Sequence, residues 1–368
     1  MIKRDTTRVV AIGNLSIGGG NLVRVQSMTQ TKTTDIEGTI KQILQLEEVG
    51  CEIVRVTAPD MESAQALGVI KKSIHIPLVV DIHFQYLLAL EAIKQGVDKV
   101  RINPGNIGGK DRVKEVVRAC QKKNIPIRIG VNMGSLEKDL FAEFGKYGVP
   151  RVMLESATRN IQILEDMDFK DIVVSLKGSD VTLTKQAHML FAERYNYPLH
   201  VGITEAGPVW SGSIKSAVGI GAILSEGIGD TIRVSISGEP EEQVRVGWEI
   251  LKTLKLRQKG VEIISCPTCG RTEIPLISLA EKVELILKKV QAPIKVAVMG
   301  CVVNGPGEAS FADIGLCGGK RQAVIMRKGK IIRTIKEADM MVAFIEEIKK
   351  ILIEKGHRQD IERIQMLV

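Results

Sequence analysis

Residues that can bind a metal are concentrated in two short loops of the last third of the chain. Cys266 and Cys269 are three positions apart, and Cys301 lies in a later loop with the carboxylate of Glu308 close behind it. Two cysteines at this spacing can bind one metal centre together, and a third can complete the site from another element. Thiolate ligands select zinc, copper(I) or an iron–sulfur cluster. The identity of this centre therefore decides what the protein does.

The surroundings of the cysteines separate the two main candidates for this centre. A zinc ribbon usually needs a second CxxC pair, and zinc commonly recruits histidine, which does not occur within residues 258–356. Proline after the first cysteine and glycine around the third are typical of the tight loops that hold iron–sulfur clusters. Cys317 could supply a fourth thiolate, whereas Cys51 and Cys120 are expected to be small buried apolar residues. The pattern favours iron–sulfur over zinc.

A second set of polar residues lies towards the ends of short β-branched runs in the first two thirds of the chain. The set consists of Gln26, Arg55, Asp81, Arg101, Arg128, Asn132, Lys177, Thr204, Glu205, Arg233 and Ser235. Five members are cations on five different runs, and parallel strands of a barrel are buried on both faces, so solvated surface charge does not explain them. Converging guanidinium groups bind planar polyanions bidentately. We therefore predict a phosphate or diphosphate substrate.

Two carboxylates in this set have competing interpretations. A carboxylate among cations normally has a depressed pKa, which suits a charge anchor better than a proton donor. Asp81 can instead be the ion-pair partner of an arginine, and on charge alone Glu205 is an anchor. His83 and His200 are expected to pack or form hydrogen bonds within strands, because no HxH or HExxH pattern accompanies them.

The elements that must position these residues repeat one pattern from Leu22 to about Thr253, in which a β-branched run, a polar break and an amphipathic stretch follow one another. The predicted strands cover 22–28, 52–59, 77–84, 98–106, 125–132, 171–180, 198–207 and 230–240. Eight strand–helix units are what a closed parallel barrel requires, and its chemistry lies at the C-terminal ends of the strands. We therefore predict an α/β chain that begins with a (β/α)8 TIM barrel.

The repeated pattern of β-branched run and amphipathic stretch ends after Leu254. The remainder reads as a strand, the CPTC loop, a helix, a strand, a glycine loop, one strand through RQAVIMRKGKIIRTI and a final helix. We predict two domains, a substrate-binding barrel over residues 1–257 and a smaller α/β cluster domain over 258–368, with cysteines at strand ends.

Composition and charge exclude several classes of protein. The N-terminus lacks an apolar signal region, no apolar run has membrane-spanning length, and six cysteines in 368 residues do not form a disulfide framework, so we expect a cytoplasmic protein without a membrane partner. The net charge of +8 permits either nucleic acid or a small polyanion as partner. Aromatic residues make up only 4% of the chain, which argues against base stacking and hence against nucleic acid.

These motifs together resemble a known family. CPTCGRTE and VMGCVVNGPGEA, preceded by VQSMT, VRVTAP, DIHF, VRINPGN and IRIGVN, are similar to the bacterial 4-hydroxy-3-methylbut-2-enyl diphosphate synthase family of the methylerythritol phosphate route to isoprenoids. The likeness covers essentially the whole chain in its compact two-domain form. It implies reductive opening and dehydration of 2-C-methyl-D-erythritol 2,4-cyclodiphosphate, with electrons from ferredoxin or flavodoxin passing through a 4Fe–4S cluster.

The resemblance also implies roles for individual residues. The cluster ligands fall on Cys266, Cys269, Cys301 and Glu308, which makes Cys317 a bystander. Glu205 matches the catalytic acid of the family, although the charge argument favours an anchor. Substrate binding is expected from Arg55, Arg101, Arg128, Lys177 and Arg233, with Gln26, Asp81, Asn132, Thr204 and Ser235 beside them. A head-to-tail homodimer is implied, in which the cluster domain of one subunit caps the barrel of the other.

Two other functions are compatible with parts of the sequence. One is a cofactor-free barrel transferase similar to pteroate synthases, with a zinc-stabilised tail. The other is a basic zinc-ribbon protein that binds nucleic acid, for which strongly salt-dependent binding is expected. A visible spectrum with iron and sulfide analysis of anaerobically prepared protein separates both from the iron–sulfur enzyme.

Overall fold

The computed structural model describes residues 4–103, 107, 109–303 and 305–364. The chain divides into two compact units, of which the first ends at Arg257 and the second begins at Gln258. Across these described residues, no helix combines the length and apolar character needed to cross a membrane. Residues 104–106 of the fourth predicted strand lie outside the described part of the chain.

The first unit begins with an antiparallel hairpin, β1 (Val10–Ile12) and β2 (Leu15–Ile17), which the sequence pattern does not predict. Eight strands follow: β3 (Arg24–Met28), β4 (Ile53–Thr57), β5 (Leu78–Asp81), β6 (Lys99–Ile102), β7 (Ile127–Asn132), β8 (Ile172–Lys177), β9 (His200–Val201) and β10 (Thr231–Ile232). They pair in the order β8-β7-β6-β5-β4-β3-β10-β9, and every pair is parallel. A parallel bridge between Val174 and Leu199 joins the two ends, so the predicted eight-stranded barrel is confirmed.

Helices connect consecutive strands, as the amphipathic stretches predict. They are α1 (Ile36–Glu48), α2 (Met61–Lys72), α3 (Tyr86–Lys94), α4 (Lys110–Lys123), α5 (Lys138–Phe144), α6 (Val149–Glu165), α7 (Val181–Arg194), α8 (Val209–Leu224) and α9 (Pro240–Thr253). The starts of α1, α2 and α7 are fixed by Asp35, Asp60 and Asp180, whose side chains accept hydrogen bonds from the first turn. The chain therefore enters each of these helices at a defined residue close to the end of a strand.

The interior of the barrel has an apolar floor. Val10, Ile12 and Ile17 of the hairpin pack in one buried cluster with Ile53, Val79 and Val173, which lie early on β4, β5 and β8. The residues next to them in each strand, such as Val54 and Val80, belong instead to the large cluster shared with the helices. Since side chains alternate along a strand, the positions two residues beyond the floor also face the interior.

The second unit contains β11 (Glu262–Ser265), α10 (Leu276–Leu287), β12 (Lys295–Met299), α11 (Gly305–Ala309), β13 (Ile314–Gly319), β14 (Gln322–Arg327), β15 (Lys330–Lys336) and α12 (Met340–Glu354). Its sheet has the order of the sequence, with β11 to β13 parallel and β13 to β15 antiparallel. The prediction of one strand over RQAVIMRKGKIIRTI is wrong, because Lys328 and Gly329 both have positive φ and form a tight hairpin turn. The strand β13 was also not predicted.

Candidate functional site

The five predicted cations lie on or directly after five strands of the barrel. Arg55, Arg101, Arg128 and Lys177 belong to β4, β6, β7 and β8, and each is at most 9% exposed, while Arg233 follows β10 and is half-buried. Arg101 and Arg128 are register partners on neighbouring strands. A Cβ on Gly202, which directly follows β9, would lie 3.2 Å from the Lys177 Nζ, so the lysine head group lies against the wall of the barrel. The interior beyond the floor is therefore rich in positive charge.

Asp81 is held between two of these cations. Its Oδ1 accepts a hydrogen bond from Arg101 Nη1 at 2.9 Å, and its Oδ2 lies 3.6 Å from Arg55 Nη1. Burial alone would raise the pKa of Asp81, but Arg55 and Arg101 outweigh it and hold that pKa below its ordinary value. The carboxylate is thus an ionised arginine partner, in agreement with one of the two predicted interpretations.

The remaining positive charge is not neutralised by the described residues. Burial, reinforced by Arg128 and Arg55, lowers the pKa of Lys177 well below its ordinary value. Burial and the charge of Arg55 lower the pKa of Arg233 to about 10. Cations that depress one another's pKa in this way make a site with a strong preference for an anion.

Several polar atoms in the barrel interior have no hydrogen-bond partner among the described residues. They are Gln26 Nε2 and Oε1, Arg55 Nε, Arg101 Nε, Arg128 Nε and Nη1, and Arg233 Nε. A buried donor without a partner costs about 1–3 kcal/mol, so native proteins rarely keep a group of them without a ligand. The oxygens of a phosphate or diphosphate are acceptors of the kind that such donors need.

The other predicted site residues occupy the same ends of the strands. Asn132 is the last residue of β7 and the register partner of Lys177, and Ser235 Oγ accepts a hydrogen bond from Arg233 Nη1 at 2.6 Å. The Thr204 amide donates to Gly178 O at 3.1 Å in the loop after β9. Glu205 is exposed and has a φ of 51°, a left-handed conformation that is uncommon for glutamate.

Two interior residues were not among the predicted site residues. Lys99 and His200 are fully buried on β6 and β9. His200 Nδ1 lies 2.8 Å from Thr231 Oγ1, and burial, together with Lys177 and other cations, lowers its pKa well below the ordinary value. Alternation along β6 could have revealed Lys99, because it precedes Arg101 by two positions and so shares its side of the strand.

The cysteine loops leave the sheet of the second unit at one edge. Ser265 of β11 is in parallel register with Val298 of β12, so the C-terminal ends of the two strands are neighbours. The Gly300 amide lies 3.4 Å from Cys266 Sγ and donates to it. A further bond runs from the Glu273 amide to Gly300 O at 2.9 Å, and these contacts tie the CPTC loop to the loop of Cys301.

The cysteines differ in their availability for a metal centre. Cys266 and Cys301 are half-buried and Cys269 is exposed, with hydrogen bonds from Arg271 that lower the pKa of its thiol. Glu308 is exposed on α11. Cys317 is fully buried in β13, and burial raises the pKa of its thiol to about 12.

The three thiols of Cys266, Cys269 and Cys301 are ligands of the kind that a soft metal centre prefers. Within the described ranges, however, no three His, Cys, Asp or Glu side chains are gathered closely enough to hold a metal ion. Cys51 and Cys120 are buried apolar residues of the barrel, as predicted.

Comparison with solved structures finds a likeness in fold. A dihydropteroate synthase from Stenotrophomonas maltophilia is 12% identical and superposes with a TM-score of 0.50, over 68% of this chain and 97% of its own. At this identity the likeness extends to the fold alone.

Comparison with sequence families covers most of both units. The GcpE TIM-barrel domain matches residues 7–248, and the GcpE protein C-terminal domain matches residues 262–350. A protein of Thermodesulfovibrio yellowstonii named 4-hydroxy-3-methylbut-2-en-1-yl diphosphate synthase (flavodoxin) is 57% identical over 95% of this chain and 100% of its own length. One of Exiguobacterium sibiricum with the same name is 56% identical over 96% of both chains. This chain therefore belongs to the GcpE family, the 4-hydroxy-3-methylbut-2-en-1-yl diphosphate synthases.

Proposed function

We propose that this chain converts 2-C-methyl-D-erythritol 2,4-cyclodiphosphate to 4-hydroxy-3-methylbut-2-enyl diphosphate by reductive ring opening and loss of water. Relatives that are 57% and 56% identical carry the name of this activity, with flavodoxin in the name, and we propose flavodoxin as the electron donor here, with ferredoxin as the alternative. The observation that carries the proposal is the group of buried cations around Asp81 inside the barrel. A diphosphate supplies the charge and the acceptors that this group needs.

Binding follows from the charges of the barrel interior. The diphosphate is held by Arg55, Arg101, Arg128, Lys177 and Arg233. As the anion enters, the factors that depress the pKa of Lys177 are offset, so the amine binds as an ammonium ion. Gln26, Asn132, Thr204 and Ser235 orient the substrate. Ser235 already accepts from Arg233, which leaves its hydroxyl hydrogen to donate to a phosphate oxygen.

We assign proton delivery to Glu205. It lies in the loop after β9, at the end of the barrel where chemistry takes place. Its left-handed φ of 51° is a strained conformation of the kind that clusters at functional sites. In this role the carboxyl group donates a proton to the departing hydroxyl, which leaves as water. The assignment depends on family membership, because the charge of the site alone favours an anchor.

Electron transfer needs a redox group that the barrel does not supply. We propose that Cys266, Cys269, Cys301 and Glu308 would hold a 4Fe–4S cluster, which would supply single electrons for the reduction. The soft thiolates suit iron–sulfur, and the exposure of Cys269 and Glu308 leaves both side chains accessible. We leave Cys317 out of the proposed ligand set, in line with the family pattern, and its full burial in β13 supports this choice.

The residues for substrate and for the cluster belong to different units of the chain. We propose that a head-to-tail homodimer, located in the cytoplasm, completes the active site. The cluster domain of one subunit then serves the barrel of its partner. Sedimentation of the anaerobic protein tests this assembly, and a monomer with full turnover would contradict it.

Anaerobic assay of the purified protein with reduced flavodoxin tests the function. Wild type is expected to bind iron and sulfide and to form the linear diphosphate. Arg128→Gln is expected to lose substrate affinity, whereas Arg159→Gln, which removes a surface ion pair with Asp139, should behave as wild type. A colourless, zinc-containing protein without turnover would instead support the barrel transferase.

A further inference from the structure

Lys99 lies inside the barrel in a position that a structural role does not explain. It is on β6 in register with Val79, a residue of the apolar floor, and it is fully buried. Its neighbour Val100 belongs to the cluster on the helix side of the strand, so Lys99 is on the interior side. Its Nζ has no hydrogen-bond partner among the described residues. Among the described residues, the amine therefore makes no hydrogen bond that methionine would lose.

The groups that influence Lys99 are mostly cations. Arg55 on β4 and Arg128 on β7 repel its positive charge, and Lys99 in turn acts on His200 of β9. The carboxylate on the neighbouring strand β5 is Asp81, whose oxygens are already engaged by Arg101 and Arg55. Lys177 on β8 and Arg233 after β10 are further cations of this interior, and Arg24 at the start of β3 is paired with Glu52.

The charge of Lys99 in the free protein follows from these surroundings. Burial, followed by Arg128 and Arg55, lowers the pKa of Lys99 well below its ordinary value of 10.5. The amine is therefore poised to be uncharged when no anion is present. A diphosphate among the arginines reverses the local potential and favours the ammonium form.

We propose that Lys99 is a reserve cation, which is an uncharged amine in the free barrel and takes up a proton when a diphosphate binds among the neighbouring arginines. The proton comes from solvent, and no bond to the substrate forms or breaks. This proposal rests on the diphosphate site of the proposed function. It explains how the barrel can match a highly charged ligand without holding one more buried charge while it is empty.

Calorimetric titration of the full chain with inorganic pyrophosphate tests the proposal. Titrations in two buffers of different ionisation enthalpy give the number of protons taken up per pyrophosphate bound. The titration of the ligand itself is common to all variants, so the difference between variants reports on the protein. We expect Lys99→Met to take up fewer protons than wild type, by as much as about one, and to bind about tenfold more weakly.

Matched variants separate this role from a general effect on charge or folding. Lys94→Met removes an exposed lysine at the end of α3 and should leave proton uptake unchanged. Lys99→Gln provides a second uncharged side chain if the methionine variant folds poorly, as judged by thermal unfolding. His200→Asn measures how much of the proton uptake belongs to the histidine. In the His200→Asn protein, replacement of Lys99 by methionine should still lower the number of protons taken up.

Two outcomes would overturn the proposal in distinguishable ways. Unchanged proton uptake in folded Lys99→Met and Lys99→Gln would refute the reserve cation and leave the diphosphate site intact. If wild type binds neither pyrophosphate nor the cyclic diphosphate, the proposed function is refuted, and the role of Lys99 with it.

Discussion

Arg101 Nη1 donates to Asp81 Oδ1 over 2.9 Å, with both side chains buried in the interior of the barrel. The pair is not isolated, because Arg55 lies on the other oxygen of the carboxylate and Arg128 is the register partner of Arg101. Asp81 therefore fixes the position of two guanidinium groups while leaving the site positive overall. This relationship makes the carboxylate a positioning group for the cations rather than a source of protons.

Replacement of Asp81 by asparagine should destabilise the free protein. Two buried guanidinium groups lose their counter-ion, and breaking a buried ion pair costs about 3 kcal/mol of the free energy of unfolding. Urea unfolding at neutral pH measures this loss. Saturating pyrophosphate should restore more stability to Asp81→Asn than to wild type, because the ligand then supplies the missing negative charge.

Asp111→Asn is the matched control for this change. Asp111 forms its ion pair with Lys114 at the surface of α4 and is 93% exposed, so no measurable change is expected. Equal effects of pyrophosphate on wild type and Asp81→Asn would show that the anion does not bind beside these arginines.

Gly130→Ala should weaken anion binding without removing any charged group. A Cβ on Gly130 would overlap the Nε of Arg101, so the guanidinium must move out of its place. A displacement of this kind is expected to lower pyrophosphate affinity about tenfold. Gly134→Ala is the control, since a Cβ there meets no atom within 4 Å. Unchanged affinity in folded Gly130→Ala would place the anion away from Arg101.

The barrel and its cations were predictable because they follow from local periodicity. Short β-branched runs separated by amphipathic stretches specify strands and helices. A cation at the end of a strand that is buried on both faces is not a solvated surface charge, so it indicates a binding site. The family predicted from the cysteine motifs is also confirmed by relatives that are 57% and 56% identical. The individual roles of the site residues stay predictions.

The features that the sequence did not reveal depend on contacts between distant segments. The strands of the N-terminal hairpin are only three residues each, and their role is clear only when Ile12 and Ile17 pack on Val79. The strands β14 and β15 merged into one prediction because Lys328, rather than asparagine or aspartate, begins the turn between them. The uncharged state expected of Lys99 depends on arginines from other strands.

The stability of the barrel should depend on pH through Asp230. Its carboxylate accepts from the Leu199 amide at 2.9 Å, and burial raises its pKa to about 6 from an ordinary value of 3.8. Because the folded pKa is the higher one, the stabilising contribution is complete below about pH 4 and is lost as the pH rises through about 6.

Asp230→Asn resembles the protonated acid and should lack this loss. The difference in unfolding free energy between wild type and variant should therefore fall by about 3 kcal/mol from pH 4 to pH 7. Urea unfolding across this range measures the difference. Parallel curves for the two proteins would contradict the raised pKa.

The ligand set of the cluster can be separated from the spare cysteine by chemical analysis. Glu308→Ala and Cys301→Ser should lower the iron and sulfide content of anaerobic protein, since both remove a proposed ligand. Cys317→Ala should keep wild-type content, because Cys317 is buried in β13 with its Sγ 3.8 Å from Met326 Sδ. Cluster loss in folded Cys317→Ala together with retention in Glu308→Ala would exchange the two assignments.

Glu205→Gln should slow turnover strongly while leaving substrate binding intact. The amide has the shape of the acid but cannot donate a carboxylic proton, and loss of a general acid typically lowers the rate by about 100- to 10,000-fold. Pyrophosphate affinity should not fall, because the variant removes a negative charge from the neighbourhood of an anion. Glu226→Gln is the control and should turn over normally. Glu226 lies before the start of β10, and its replacement breaks an ion pair with Lys185. Near-normal turnover in Glu205→Gln would return Glu205 to the role of a charge anchor.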